Sequence, residues 1–132
     1  MQDVLRRSVL FGLLAICLAA GGCAYKDLPR RVGGCLLTFY TMPREPHRGE
    51  ARVALRVQDR DYRVLTQARV TLVVVEPDAN SRPAVELVLG TAKDYRARVA
   101  LPQSGEYRLA FKIKPATGES PVVAVFPLRV EE

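Results

Sequence analysis

Between Tyr107 and Lys114 the chain keeps a strict period of two. Tyr107, Leu109, Phe111 and Ile113 are large and apolar, and Arg108, Ala110, Lys112 and Lys114 stand between them. Successive side chains of a strand point to opposite faces, so this period sends one face into a core and the other into water. The same beat recurs from Glu50 to Asp59, where Val53, Leu55 and Val57 alternate with Arg52, Arg56 and Gln58, and again in Tyr95, Ala97, Val99 and Leu101. Segments patterned this way bury nothing as helices. They have to be paired into sheets.

The rest of the chain supplies further strands and the turns between them. Cys35 to Thr41 reads as a first short strand, followed by a loop from Met42 to Gly49 in which Pro43, Pro46 and Gly49 prevent regular pairing. Asp59-Arg60-Asp61-Tyr62 is a turn, because aspartate bonds its own backbone and tolerates turn geometry. Ala68 to Glu76 is apolar and β-branched at nearly every position, which predicts a central strand covered on both faces. Ala84 to Leu89 gives a short strand ending at Gly90, and Val122 to Val130 the last one, with Pro127 placing it at an edge or a bulge. About seven short strands with turn signals between them, and no amphipathic helix, predict an immunoglobulin-like antiparallel β-sandwich over residues 35–132.

The start of the chain is of another kind. Arg6 and Arg7 precede an uncharged apolar run from Val9 to Ala20, and small residues follow it. That order is a secretory signal, read here as an N-terminal helix over residues 1–22. The run reaches about 18 Å as a helix, short of a hydrocarbon core about 30 Å thick. Ala20-Gly21-Gly22-Cys23 resembles the lipobox of bacterial lipoproteins, in which the cysteine thiolate accepts a diacylglyceryl group and becomes the first residue. The resemblance implies lipid attachment at Cys23 and a bilayer as the first partner. Ala24 after the cysteine resembles the outer-membrane class, facing the periplasm of the cell envelope. The same residues also satisfy the small-x-small rule for ordinary signal cleavage. Residues 23–34, without apolar period, read as a tether.

Removing residues 1–22 from the 132 leaves 110, enough for one domain. They carry 18 of the 20 basic residues and 13 of the 14 acidic ones, a net charge of +5. The cations alternate with apolar residues, as the solvated faces of strands require, and an attraction to anionic lipid or envelope polysaccharide is compatible with them. Nucleic acid is not expected as a partner of an exported protein. Of three cysteines, Cys17 leaves with the signal and Cys23 becomes a thioether, so Cys35 alone keeps a thiol and no internal disulfide forms. Cys35 opens an apolar segment, which predicts a buried structural thiol. A reactive one would need cationic neighbours, and Arg30 and Arg31 are near in sequence.

The segments Thr41–Gly49, Val53–Asp59, Ala68–Leu72, Tyr95–Pro102 and Gly105–Leu109 together resemble the YtkA-like and FixH-like domains, small exported immunoglobulin-like modules. The resemblance implies the sandwich, and for some members copper handling or oxidase assembly. The glycine those domains place after Asp59 is missing here, and Val75-Glu76-Pro77-Asp78 stands where they are rich in methionine and histidine.

Chemistry is sparse. His47, the one histidine, lies in a proline-rich loop with no nucleophile motif. Asp59 and Asp61 read as solvated turn formers. One histidine and one free cysteine do not close a zinc site. No enzyme and no cofactor is expected. The reading is a membrane-anchored interaction or structural module that contacts an envelope protein or polymer. The alternative is a periplasmic copper carrier or oxidase-assembly accessory, for which Met42 and His47 are the candidate metal ligands. Cys35 and Met42 bracket one strand and sit about 20 Å apart if it is extended, too far to share one ion.

Overall fold

In the computed structural model, residues 28–132 are described. The expectations for the signal helix and for Cys23 lie outside them. Nine strands follow in order: β1 (Arg30–Val32), β2 (Cys35–Met42), β3 (Gly49–Gln58), β4 (Arg69–Val75), β5 (Val85–Glu86), β6 (Val88–Leu89), β7 (Tyr95–Leu101), β8 (Gly105–Lys114) and β9 (Val122–Val130). They form two antiparallel sheets, one of five strands in the order β1-β2-β3-β7-β6 and one of four in the order β5-β4-β8-β9. The β-sandwich expected from the sequence is there, with no helix among the described residues.

The core lies between the sheets and is drawn from the alternating positions. Tyr107, Leu109, Phe111 and Ile113 of β8 are fully buried, facing Leu37, Phe39, Val53, Leu55 and Val57 of the other sheet. Phe39, Phe111 and Phe126 form a cluster with ring centroids 5.1–5.9 Å apart, the tilted and edge-on spacing aromatic rings prefer. The Tyr107 hydroxyl turns back to its own corner, donating to the Gln103 carbonyl at 2.8 Å and accepting from the Gln103 N–H at 3.0 Å. This is the tyrosine-corner arrangement of sandwich folds. Tyr95 does similar work between elements: its hydroxyl donates to the Leu65 carbonyl at 2.6 Å and accepts from the Ala68 N–H at 3.0 Å, pinning the chain that crosses from β3 to β4.

Three expectations are corrected. Part of the stretch read as a tether is strand: Arg30–Val32 pairs with β2 through the turn at Gly33-Gly34, too short and too charged to show a period. The strand read as one piece over Ala84–Leu89 is two, Val85–Glu86 on β4 and Val88–Leu89 on β7, with buried Leu87 as the pivot where the chain changes sheets. Most consequential, β4 is not covered on both faces. Val70, Leu72 and Val74 are buried, while Thr71, Val73 and Val75 face outward and are only partly covered.

The two sides of the sandwich close differently. On one, the sheet-switching segment β5–β6 bridges the gap. On the other, Arg30 reaches across from β1, donating to the Val125 carbonyl on the free edge of β9 at 2.9 Å with its guanidinium 5.2 Å from the Phe126 ring centroid. A cation occupying that carbonyl blunts an edge otherwise open to pairing. Pro127 lies on this same edge strand, as its missing N–H requires.

Candidate functional site

The residues singled out for chemistry are held apart. Cys35 faces inward at the start of β2, and Met42 faces outward at its end, since their positions differ by an odd number. Met42 lines a shallow hollow with Glu50, Ala51, Arg52 and Arg98. His47 is exposed, and its Nδ1 donates to the main-chain oxygen of Glu132 at 3.0 Å, where the loop runs beside the C-terminal residues. Among the described residues no group of three or more His, Cys, Asp or Glu side chains is arranged to hold a metal ion.

Cys35 sits at the floor of an open cleft of about 890 Å³ at one end of the sandwich, lined by the turn at Asp59-Arg60-Asp61, the Val64–Ala68 crossing and the Pro115–Val122 loop. Burial pushes its thiol pKa up, and the carboxylates of Glu119 and then Asp59 push it further. Neither Arg30 nor Arg31, near it in sequence, is among the groups that act on it. A thiol held protonated is a weak nucleophile. Asp59 is a turn former: its Oδ1 accepts from the Asp61 and Arg63 N–H groups at 2.8 and 3.0 Å. Tyr62 adopts φ 64° in this turn without a glycine.

The surfaces that remain are the two outer faces, and register shows what each presents. On the five-stranded sheet the middle row is Tyr40, Ala54, Arg96 and, on edge strand β6, exposed Val88, with Thr38 and Arg56 on one side and Met42, Arg52 and Arg98 on the other. Ala54 points outward yet has 0% exposure, because a methyl group lies low between longer side chains. Arg96 is fixed in place. Its Nε donates to Oδ1 of fully buried Asp94 at 2.7 Å, which raises the guanidinium pKa through that hydrogen bond. Gly90 permits this, since a Cβ there would lie 3.2 Å from Cδ and Nε of Arg96.

On the four-stranded sheet the middle row is Val73, Ala110 and Val125. Next to it run Thr71, Lys112 and Val123 on one side and Val75, Arg108 and Pro127 on the other. Val123 is 59% and Val125 42% exposed. Arg69 and Arg129 on the rim are in ion pairs with Glu86 (3.6 Å) and Glu106 (4.0 Å), while Arg108, Lys112 and Lys114 have no acidic partner among the described residues. The result is an apolar strip framed by cations. Sequence reasoning missed it, although the signal was present: β4 and β9 are apolar at outward positions as well as inward ones.

No family model matches the chain, and no curated protein matches it. Solved structures do. A DUF4426 family protein from Pseudomonas aeruginosa superposes with a TM-score of 0.62 at 13% identity, over 80% of this chain and 97% of that one. A copper-bound variant of Campylobacter jejuni P19 gives 0.57 at 10% identity, over 76% and 92%. The soluble domain of PmoD from Methylocystis sp. ATCC 49242 (Rockwell) gives 0.51 at 9% identity, over 74% and 94%. At such identities the likeness is one of fold.

Proposed function

We propose that this chain is an exported lipoprotein, anchored to a membrane of the bacterial envelope through Cys23, whose sandwich acts as a non-catalytic interaction module. The observation that carries the module reading is the strip Val73–Ala110–Val125 with exposed Val123 beside it, an apolar area left open on a sheet whose other face is fully packed. Side chains placed so are an interaction surface rather than a reaction site. Support for the anchor is the Ala20–Cys23 pattern and the apolar run before it. Mass spectrometry of the protein extracted from membranes tests the anchor: a lipid-modified Cys23 at the N-terminus is expected, and Cys23→Ser should leave the protein uncleaved or released. An unmodified N-terminus at another residue would contradict it.

The copper-bound P19 variant gives a second reading, a copper carrier, its specific support. The ligands weigh against it. Copper(I) is held by soft sulfur or imidazole donors converging on one point, whereas Met42 points outward into a hollow that His47 does not line. His47 also has one ring nitrogen engaged. Titration with Cu(I) against a competing chelator decides between them. The module reading expects no stoichiometric binding by the monomer. Binding that survives the competitor and is lost in Met42→Leu or His47→Ala would favour the carrier.

A further inference from the structure

From the register of the outer face and the place where the N-terminal chain leaves the sandwich, we infer that the four-stranded sheet lies with its Val73–Ala110–Val125 strip against an anionic lipid surface. The inference rests on anchoring at Cys23. Six residues lie between Cys23 and Arg30, so the seven steps reach at most about 25 Å when fully extended. Arg30 is bonded to the edge of β9, so the chain leaves the domain on the side of exposed Val125. Stacked sheets lie about 10 Å apart, so the tether is long enough to bring this face down and too short to carry the domain far from the bilayer.

The chemistry of the face matches that surface. Peripheral membrane contact combines buried apolar side chains with cations facing anionic headgroups. Val73, Val123, Val125 and Pro127 supply the first, and the unpaired Arg108, Lys112 and Lys114 flank them in the neighbouring rows. The opposite face carries one strongly exposed apolar side chain, Val88 on edge strand β6, rather than a strip. It is rich in guanidinium groups, but its middle is sealed over Ala54, and Arg96 is neutralised by Asp94. A second copy of the chain would set Arg108, Lys112 and Lys114 against their own equivalents, like charges facing like.

Lysine footprinting of the lipid-bearing protein tests this. The protein is taken from membranes in detergent and reconstituted into vesicles of phosphatidylethanolamine with phosphatidylglycerol, or of phosphatidylcholine alone. Acylation of Lys112 and Lys114 is then compared with that of Lys93, which sits in the turn between β6 and β7. Each cation near an anionic surface favours contact by about fivefold, so three shift the apposed orientation by on the order of a hundredfold. Lys112 and Lys114 should therefore react at least about tenfold more slowly relative to Lys93 on anionic vesicles, and recover in high salt. Val123→Glu with Val125→Glu, both on exposed positions, should restore their reactivity. A protein that floats with the vesicles while Lys112 and Lys114 stay as reactive as Lys93 overturns the inference and leaves the anchor intact. Protection that persists in detergent and grows with protein concentration would assign the face to a second copy, and overturns it too. A protein that does not float removes the anchoring reading and this inference together.

Discussion

Ala54 and Ala110 occupy the middles of the two outer faces, and their surroundings differ. Ala54 is sealed between Tyr40 and an arginine locked to buried Asp94. Ala110 lies between Val73 and Val125, with no long side chain in its row. Both faces rest on one core, built by the same alternation, so the core does not explain the contrast. The difference lies in which outward residues are long enough to cover a neighbour. Arginine stems shield apolar backbone and keep their heads in water, whereas valines shield nothing. Among the described residues, the middle of one face is covered by long side chains and the middle of the other is left partly open.

Substitutions test whether that contrast is physical. The largest effect belongs to the shared base: Phe111→Ala empties the aromatic cluster under both faces and should cost about 3–5 kcal/mol, whereas Lys112→Ala on the open face should stay within about 0.5 kcal/mol. Denaturant unfolding of both variants measures this, and equal shifts would mean that the register of β8 is wrong. Asp94→Ala comes next, because it unlocks Arg96 and should lose about 1–3 kcal/mol, the worth of a hydrogen bond to a charged group at a half-exposed partner. Glu86→Ala, which removes the exposed Arg69 pair, should change about 0–0.5 kcal/mol.

The direct contrast is a matched pair. Ala54→Leu forces bulk into a sealed position and should destabilise by about 1–3 kcal/mol. Ala110→Leu adds the same atoms to an open strip and should stay within about 0.5 kcal/mol. Similar melting shifts for these two would erase the distinction between the faces.

The smallest effect concerns pH. Burial raises the Cys35 pKa, so the folded protein holds that proton more tightly than the unfolded chain. Its contribution is complete below the ordinary thiol value of about 8.5 and is lost as pH climbs toward the raised folded value. The stability of the native protein should therefore fall relative to Cys35→Ala above about pH 8.5. Curves that stay parallel to pH 10 would contradict a buried, protonated thiol. Tyr95, also raised chiefly by burial, should add a similar loss at still higher pH, absent in Tyr95→Phe.

Alternation alone located the inward faces: Tyr107, Leu109, Phe111 and Ile113 are each fully buried. It could not show that Val85–Leu89 changes sheets, because a strand's partner is not written in its own residues. Nor could a three-residue strand such as Arg30–Val32 display a period. The doubly apolar pattern of β4 predicted cover on both faces, but among the described residues Thr71, Val73 and Val75 are only partly covered, because apolar composition does not say which sheet face a neighbour will occupy. Locating the strip required the non-local register that sets Val73 opposite Ala110 and Ala110 opposite Val125. Met42 and His47 were picked by residue type. The side-chain parity that puts Cys35 and Met42 on opposite faces was already in the spacing, while the tie of His47 to the C-terminal residues was not.

The claim that ties the two faces to function is that the open one works against a surface and the sealed one meets water. A photo-activatable side chain placed at Val125, and separately at Arg56 on the opposite face, tests it in cells. The position-125 protein should yield phospholipid adducts on illumination, and the position-56 protein should yield none. Adducts at 56 with none at 125 would contradict the account.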